Sequence, residues 1–102
     1  MAKLIALYKK PADAAAFDRY YFGTHVPIAK NIASLRKYEV SSDGVSALGG
    51  DSPYHLAAIL TFDSMTDIQQ ALGSPEGAAT AADLANFAQA GVDLLVFDSK
   101  EI

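Results

Sequence analysis

The sequence predicts an α+β fold, a two-layer sandwich of the ferredoxin-like βαββαβ type. Three observations predict it. Four short apolar stretches, at residues 3–8, 35–42, 54–62 and 92–97, read as strands. Two stretches with apolar residues at three- and four-residue steps, one after the first strand and one after the third, read as helices. That order places both helical segments on one side of an antiparallel sheet.

The first strand, 3–8, ends at Lys9-Lys10-Pro11. Asp13 then caps a helix on which Phe17, Tyr20, Tyr21, Thr24 and Ile28 recur at helical spacing. Pro27 has no N–H to donate, and its ring would press on the Gly23 carbonyl, so a kink is expected between Gly23 and Pro27, with His25 in it. Leu35, Tyr38 and Val40 mark the second strand, and the glycines and aspartates of 41–53 a long connection to the third. Ser64, with Asp67 three residues on, caps a helix whose Met65, Ile68 and Leu72 share a face. Gly73-Ser74-Pro75 ends that helix and starts another, with Ser74 as cap and Pro75 in the first turn. Ala81, Leu84, Phe87 and Ala88 form its apolar stripe. Gly91 precedes the last strand.

The chain has 102 residues, 51% apolar and 20% charged, which suits one domain, 1–102, and excludes a disordered chain. With no cysteine there is no disulfide, thiolate nucleophile or thiolate metal site. Two histidines and acids without ligand spacing give no metal site, and no motif calls for a cofactor. The net charge of −4 argues against nucleic acid as a partner. The apolar run 4–8 is too short for an export or membrane signal, so the expected location is the cytoplasm.

Strand three does not alternate as a half-exposed strand should. Tyr54, Leu56, Ala58, Leu60 and Phe62 are assigned to one face, His55, Ala57, Ile59 and Thr61 to the other. Strands one and four are also apolar on both sides. Helices cover one face only. The bare one measures roughly 300 Å² from standard strand spacings, near the limit that monomers expose. A second copy packed face to face is the expected cover, and a homodimer follows. The small or polar His55, Ala57 and Thr61 lead to the expectation of a mostly apolar cavity between the two sheets.

The stretch Phe17-Asp-Arg-Tyr20-Tyr21-Phe-Gly-Thr-His25-Val-Pro27 resembles the helix-one signature of the EthD family. Leu7-Tyr8-Lys9-Lys10-Pro11 matches the end of its first strand. Ser74-Pro75-Glu76-Gly77 and Ala82-Asp83-Leu84-Ala85-Asn86-Phe87 resemble its second helical region. The resemblance implies membership of the dimeric α+β barrel superfamily. It also implies a link to bacterial ethyl tert-butyl ether degradation, where the founding member is required beside a cytochrome P450 system. Relatives in the superfamily include cofactor-free monooxygenases, muconolactone isomerase and polyketide cyclases, so the fold alone names no chemistry.

His25 leads the candidate site residues, because imidazole serves as acid or base near neutrality without a cofactor. Tyr21, four residues before it, is the candidate catalytic helper. Asp18 lies on the same helix face, two turns from His25. Tyr20 and Tyr21 point about 100° apart, so one packs and the other offers its hydroxyl to a pocket. His55, Thr61 and Tyr8 complete the ligand-binding candidates. The expected function is a homodimer that binds a small hydrophobic carbonyl compound and performs acid/base chemistry of the isomerase, cyclase or decarboxylase type. The alternatives are an accessory protein that hands a metabolite to an oxygenase partner, and an assembly module whose interior is filled.

Overall fold

Four strands, β1 (Ala2–Lys9), β2 (Lys37–Val40), β3 (Tyr54–Phe62) and β4 (Val92–Asp98), form one sheet in the order β2-β3-β1-β4. The structure, a computed structural model, describes residues 1–102. All three pairings are antiparallel. The helices α1 (Ala14–Tyr20), α2 (Val26–Ala29), α3 (Met65–Gly73) and α4 (Pro75–Phe87) give the ferredoxin-like order. β2 is shorter than the stretch 35–42, but Arg36 N–H donates to Thr61 O and Ser41 N–H to Ala57 O, each at 2.8 Å, extending the pairing at both ends.

The caps lie where the sequence places them. Asp13 accepts from Ala16 N at 3.0 Å and Ser64 from Asp67 N at 3.1 Å. Ser74 serves two helices: its hydroxyl donates to Ala71 O at 2.6 Å and accepts from Gly77 N at 3.1 Å. The join is tight because Gly77 has no side chain; a Cβ there would overlap the Ala71 carbonyl.

Between α1 and α2 the chain makes a π-helical turn, Tyr21–His25, in which Val26 N–H bonds to Tyr21 O. This is the kink expected from Pro27. Phe17, Tyr21, His25 and Ala29 are all buried at four-residue steps. In a regular α-helix each such step drifts by about 40°. The wider turn absorbs that drift and keeps the four on the inner face.

Ala2, Ala6, Tyr8, Leu56, Ala58, Leu60 and Phe62 are buried beneath the helices, with Phe17, Tyr21, Ile68, Ala71 and Phe87 above them. One expected facing is overturned. The β1–β3 register pairs Tyr8 with Leu56 but Lys9 with Tyr54, which leaves His55 in a bulge. His55 therefore points to the helix side, its ring 5.1 Å from that of Phe17. Tyr54 turns outward, and its hydroxyl donates to Asp93 at 2.9 Å.

The opposite face carries Ile5, Leu7, Ala57, Ile59, Leu95 and Phe97, and no helix lies over it. On β4, Leu95 and Phe97 are 52% and 47% exposed. No helix is long and apolar enough to cross a membrane.

Candidate ligand-binding site

Small side chains under the helices leave a hollow. Ala6 and Ala58 from the sheet, Ala29 from α2, Ala71 from α3 and Gly77 and Ala81 from α4 fail to fill the layer between them, and a cavity of about 70 Å³ remains. One water needs roughly 10–15 Å³ on that scale. The walls are apolar, apart from Tyr8, His25, Tyr38 and Thr80. The exposed Leu72 and Leu94 stand at its rim, while Tyr8, His25, Ala58 and Ala71 are buried. The hollow thus lies between sheet and helices of one chain. The space expected between two paired sheets is a separate one, on the opposite face of β3.

His25 reaches the cavity from the end of the π-helical turn. Its Nδ1 is 2.9 Å from Oδ2 of Asp83 on α4, and both side chains are buried. Asp83 Oδ1 accepts from the Tyr20 hydroxyl at 2.6 Å and from Asn86 Nδ2 at 3.0 Å. Burial works against the Asp83 charge, but the hydrogen bonds from Tyr20, Asn86 and His25 outweigh it and hold the carboxyl below its ordinary range. A carboxylate only accepts, so Nδ1 of His25 carries the hydrogen and Nε2 is the nitrogen left for the cavity. Phe87, with its ring centre 4.6 Å from that of His25, backs the imidazole.

The tyrosines take different partners. Tyr21 is fully buried, and its hydroxyl lies 2.6 Å from that of Tyr38 on β2. Tyr20 turns the other way, to Asp83. Tyr8 packs edge-on against Phe17 and Tyr21 and lines the cavity. Burial pushes the Tyr8, Tyr21 and Tyr38 hydroxyls above the usual value of 10.0.

Of the residues singled out in the sequence, His25 and Tyr8 line the cavity, Tyr21 lies one hydrogen bond behind it through Tyr38, and Tyr20 lies two behind it through Asp83 and His25. Three stand elsewhere. Asp18 does not reach His25; it accepts from His55 Nε2 at 2.8 Å on the other side of α1. The bulge turns His55 toward that pair and away from the hollow. Thr61 is buried on the outer face, where Lys3 Nζ donates to its hydroxyl at 3.1 Å. Asp83 and Tyr38 were missed. The signal for Asp83 was present: it precedes the apolar Phe87 by four residues and so shares its stripe. An acid on a buried stripe needs a partner.

A family model described as EthD domain matches residues 9–91. An uncharacterized 11.0 kDa protein of the thcB-thcC intergenic region of Rhodococcus erythropolis is 39% identical over 103 residues, covering 100% of this chain and 98% of that protein. A crystal structure of an EthD family protein from Bacillus halodurans is 35% identical with a TM-score of 0.88, covering 98% of this chain and 99% of that one. A dimeric protein of ferredoxin-like fold from Bacteroides fragilis, 19% identical, matches with a TM-score of 0.66 over 96% of this chain and 95% of that one.

Proposed function

Because the chain belongs to the EthD domain family, we propose that it binds a small apolar molecule between its sheet and helices and moves a proton there without a cofactor. His25 is the acid or base. In this reading 1–102 is a single EthD-like domain working as a cytoplasmic homodimer. The observation that carries it is the buried His25–Asp83 pair at an apolar cavity. Asp83 fixes the tautomer, so Nε2 offers a lone pair. When Nε2 takes a proton, Asp83 steadies the imidazolium, and the same nitrogen returns the proton to another atom of the ligand. That is the requirement of isomerisation, cyclisation and decarboxylation through an enol. The apolar outer face and the dimeric relative support a homodimer.

Native mass spectrometry of freshly purified protein tests this reading, reporting subunit number and retained small molecules together. A dimer carrying a small adduct is expected; bare monomers overturn it. Once the adduct is identified, His25→Gln is expected to slow its turnover by about 100-fold or more while binding persists. Unchanged turnover removes His25 from the role.

One observation favours a second reading. His25 is the only cavity residue of a type that titrates near neutrality. A non-catalytic protein that holds an apolar metabolite for a P450-type oxygenase, as in ether degradation, needs no more. Turnover by the purified protein alone excludes it.

A further inference from the structure

We infer that the hydroxyls of Tyr8 and Tyr38 together anchor one hydrogen-bond-accepting oxygen of the ligand, so that the cavity selects apolar molecules bearing a carbonyl or enolate oxygen. The inference rests on the cavity being the binding site, as proposed above.

Tyr8 is 2% exposed and lines the cavity. Its hydroxyl is bonded to no protein atom, whereas the hydroxyls of Tyr20, Tyr21, Tyr38 and Tyr54 all are. No fully sealed side-chain oxygen or nitrogen lacks a partner. The Tyr8 hydroxyl is therefore not sealed, and the space it opens onto is the cavity. A buried hydroxyl without a partner loses about 1–3 kcal/mol relative to a bonded one, and a ligand oxygen recovers it.

Tyr38 also lines the cavity, and the direction of its hydrogen is set from behind. Tyr21 is fully buried, is absent from the cavity wall, and has the Tyr38 hydroxyl as its one partner. Tyr21 therefore donates to Tyr38, and the hydrogen of Tyr38 is left for the cavity. Two O–H groups that stay neutral at any physiological pH meet the same space. As donors, both hydroxyls recognise the lone pair of a ligand oxygen and give nothing to an alkyl group. Apart from His25 and Thr80, the remaining wall, including Ala58, Leu60 and Ala71, is hydrocarbon. His25 lines the same cavity, where a proton beside a carbonyl would be moved.

Cyclohexanone and methylenecyclohexane test the anchor, since they share a shape and only the ketone has an acceptor. Affinities of both are measured by calorimetry for the wild-type protein, Tyr8→Phe and Tyr38→Phe. Each variant is expected to weaken cyclohexanone by roughly five- to tenfold and to leave methylenecyclohexane unchanged. In the wild-type protein the carbonyl carbon of labelled cyclohexanone is expected to move downfield in the NMR spectrum, a readout that needs no variant. If methylenecyclohexane binds but neither variant weakens the ketone selectively, the anchor is overturned and the cavity reading stands. If neither probe binds the wild-type protein, both fall.

Discussion

Nδ1 of His25 and Oδ2 of Asp83 lie 2.9 Å apart across 58 residues of sequence, both shielded from water. The π-helical turn brings one and α4 the other. A buried charge costs several kcal/mol to desolvate, and it persists here because Tyr20, Asn86 and His25 all donate to the carboxyl.

The pair makes an acid-stability prediction. The Asp83 pKa is lower in the folded state than in the unfolded chain. Its contribution is therefore complete above the unfolded value, near 3.8, and is lost as pH falls through the lower folded value. Asp83→Asn is expected to cost about 1–3 kcal/mol at pH 6. The gap from the wild-type protein should close as pH drops below about 4. Urea unfolding across that range measures it. A gap that does not change with pH would show that the charge of Asp83 is not what stabilises the fold.

The tyrosines predict the opposite limb. For Tyr8, Tyr21 and Tyr38 the folded pKa is raised, chiefly by burial. Their contribution is whole below the unfolded value of 10.0 and declines as pH rises above it. Each buried tyrosine should then remove about 1.4 kcal/mol of stability per pH unit. Tyrosinate absorbance is expected to rise late and together with the loss of helical circular dichroism. Ionisation of all five tyrosines near pH 10 in a protein that keeps its helices would contradict the burial of these three hydroxyls.

Glycine at 77 is a packing requirement, and glycine at 73 is not. A Cβ on Gly77 would overlap the Ala71 carbonyl, whereas one on Gly73 meets nothing within 4 Å. Gly77→Ala should destabilise by about 3 kcal/mol, since α4 must lift off α3. Gly73→Ala should stay within roughly 0.5 kcal/mol. Thermal melts of the two variants separate these outcomes, and equal melting temperatures would refute the close approach.

Much of the fold is legible in local patterns. Pro27 forecasts the break at His25, and Ser64 and Ser74 forecast their helix starts, because each acts on neighbours within four residues. What the sequence hides depends on partners. His55 changes sides because of a bulge in the β1–β3 register, and alternation within β3 alone has no record of it. Thr61 was placed on the correct face, but the hollow lies on the other, where Ala6, Ala29 and Ala71 meet from three separate elements. Asp83 looked like one polar residue in an alanine-rich helix until His25 and Tyr20 were brought beside it.

The outer face of β4 yields the last prediction. Leu95 and Phe97 are about half exposed, and no helix covers them. In an isologous contact each occurs twice, so a single substitution changes two sites of the interface. In the proposed homodimer, Leu95→Asp would place two unpaired carboxylates in an apolar contact, and its dissociation constant should rise by roughly 100-fold or more. Leu48, fully exposed in the 41–53 connection, is the matched control, and Leu48→Asp should leave association unchanged. Sedimentation equilibrium at micromolar concentration measures both. Since Leu95 does not line the hollow, the Leu95→Asp monomer should retain its fold by circular dichroism. If Leu95→Asp sediments as the wild-type dimer does, the copies meet through another surface and the sheet face is bare for a different reason.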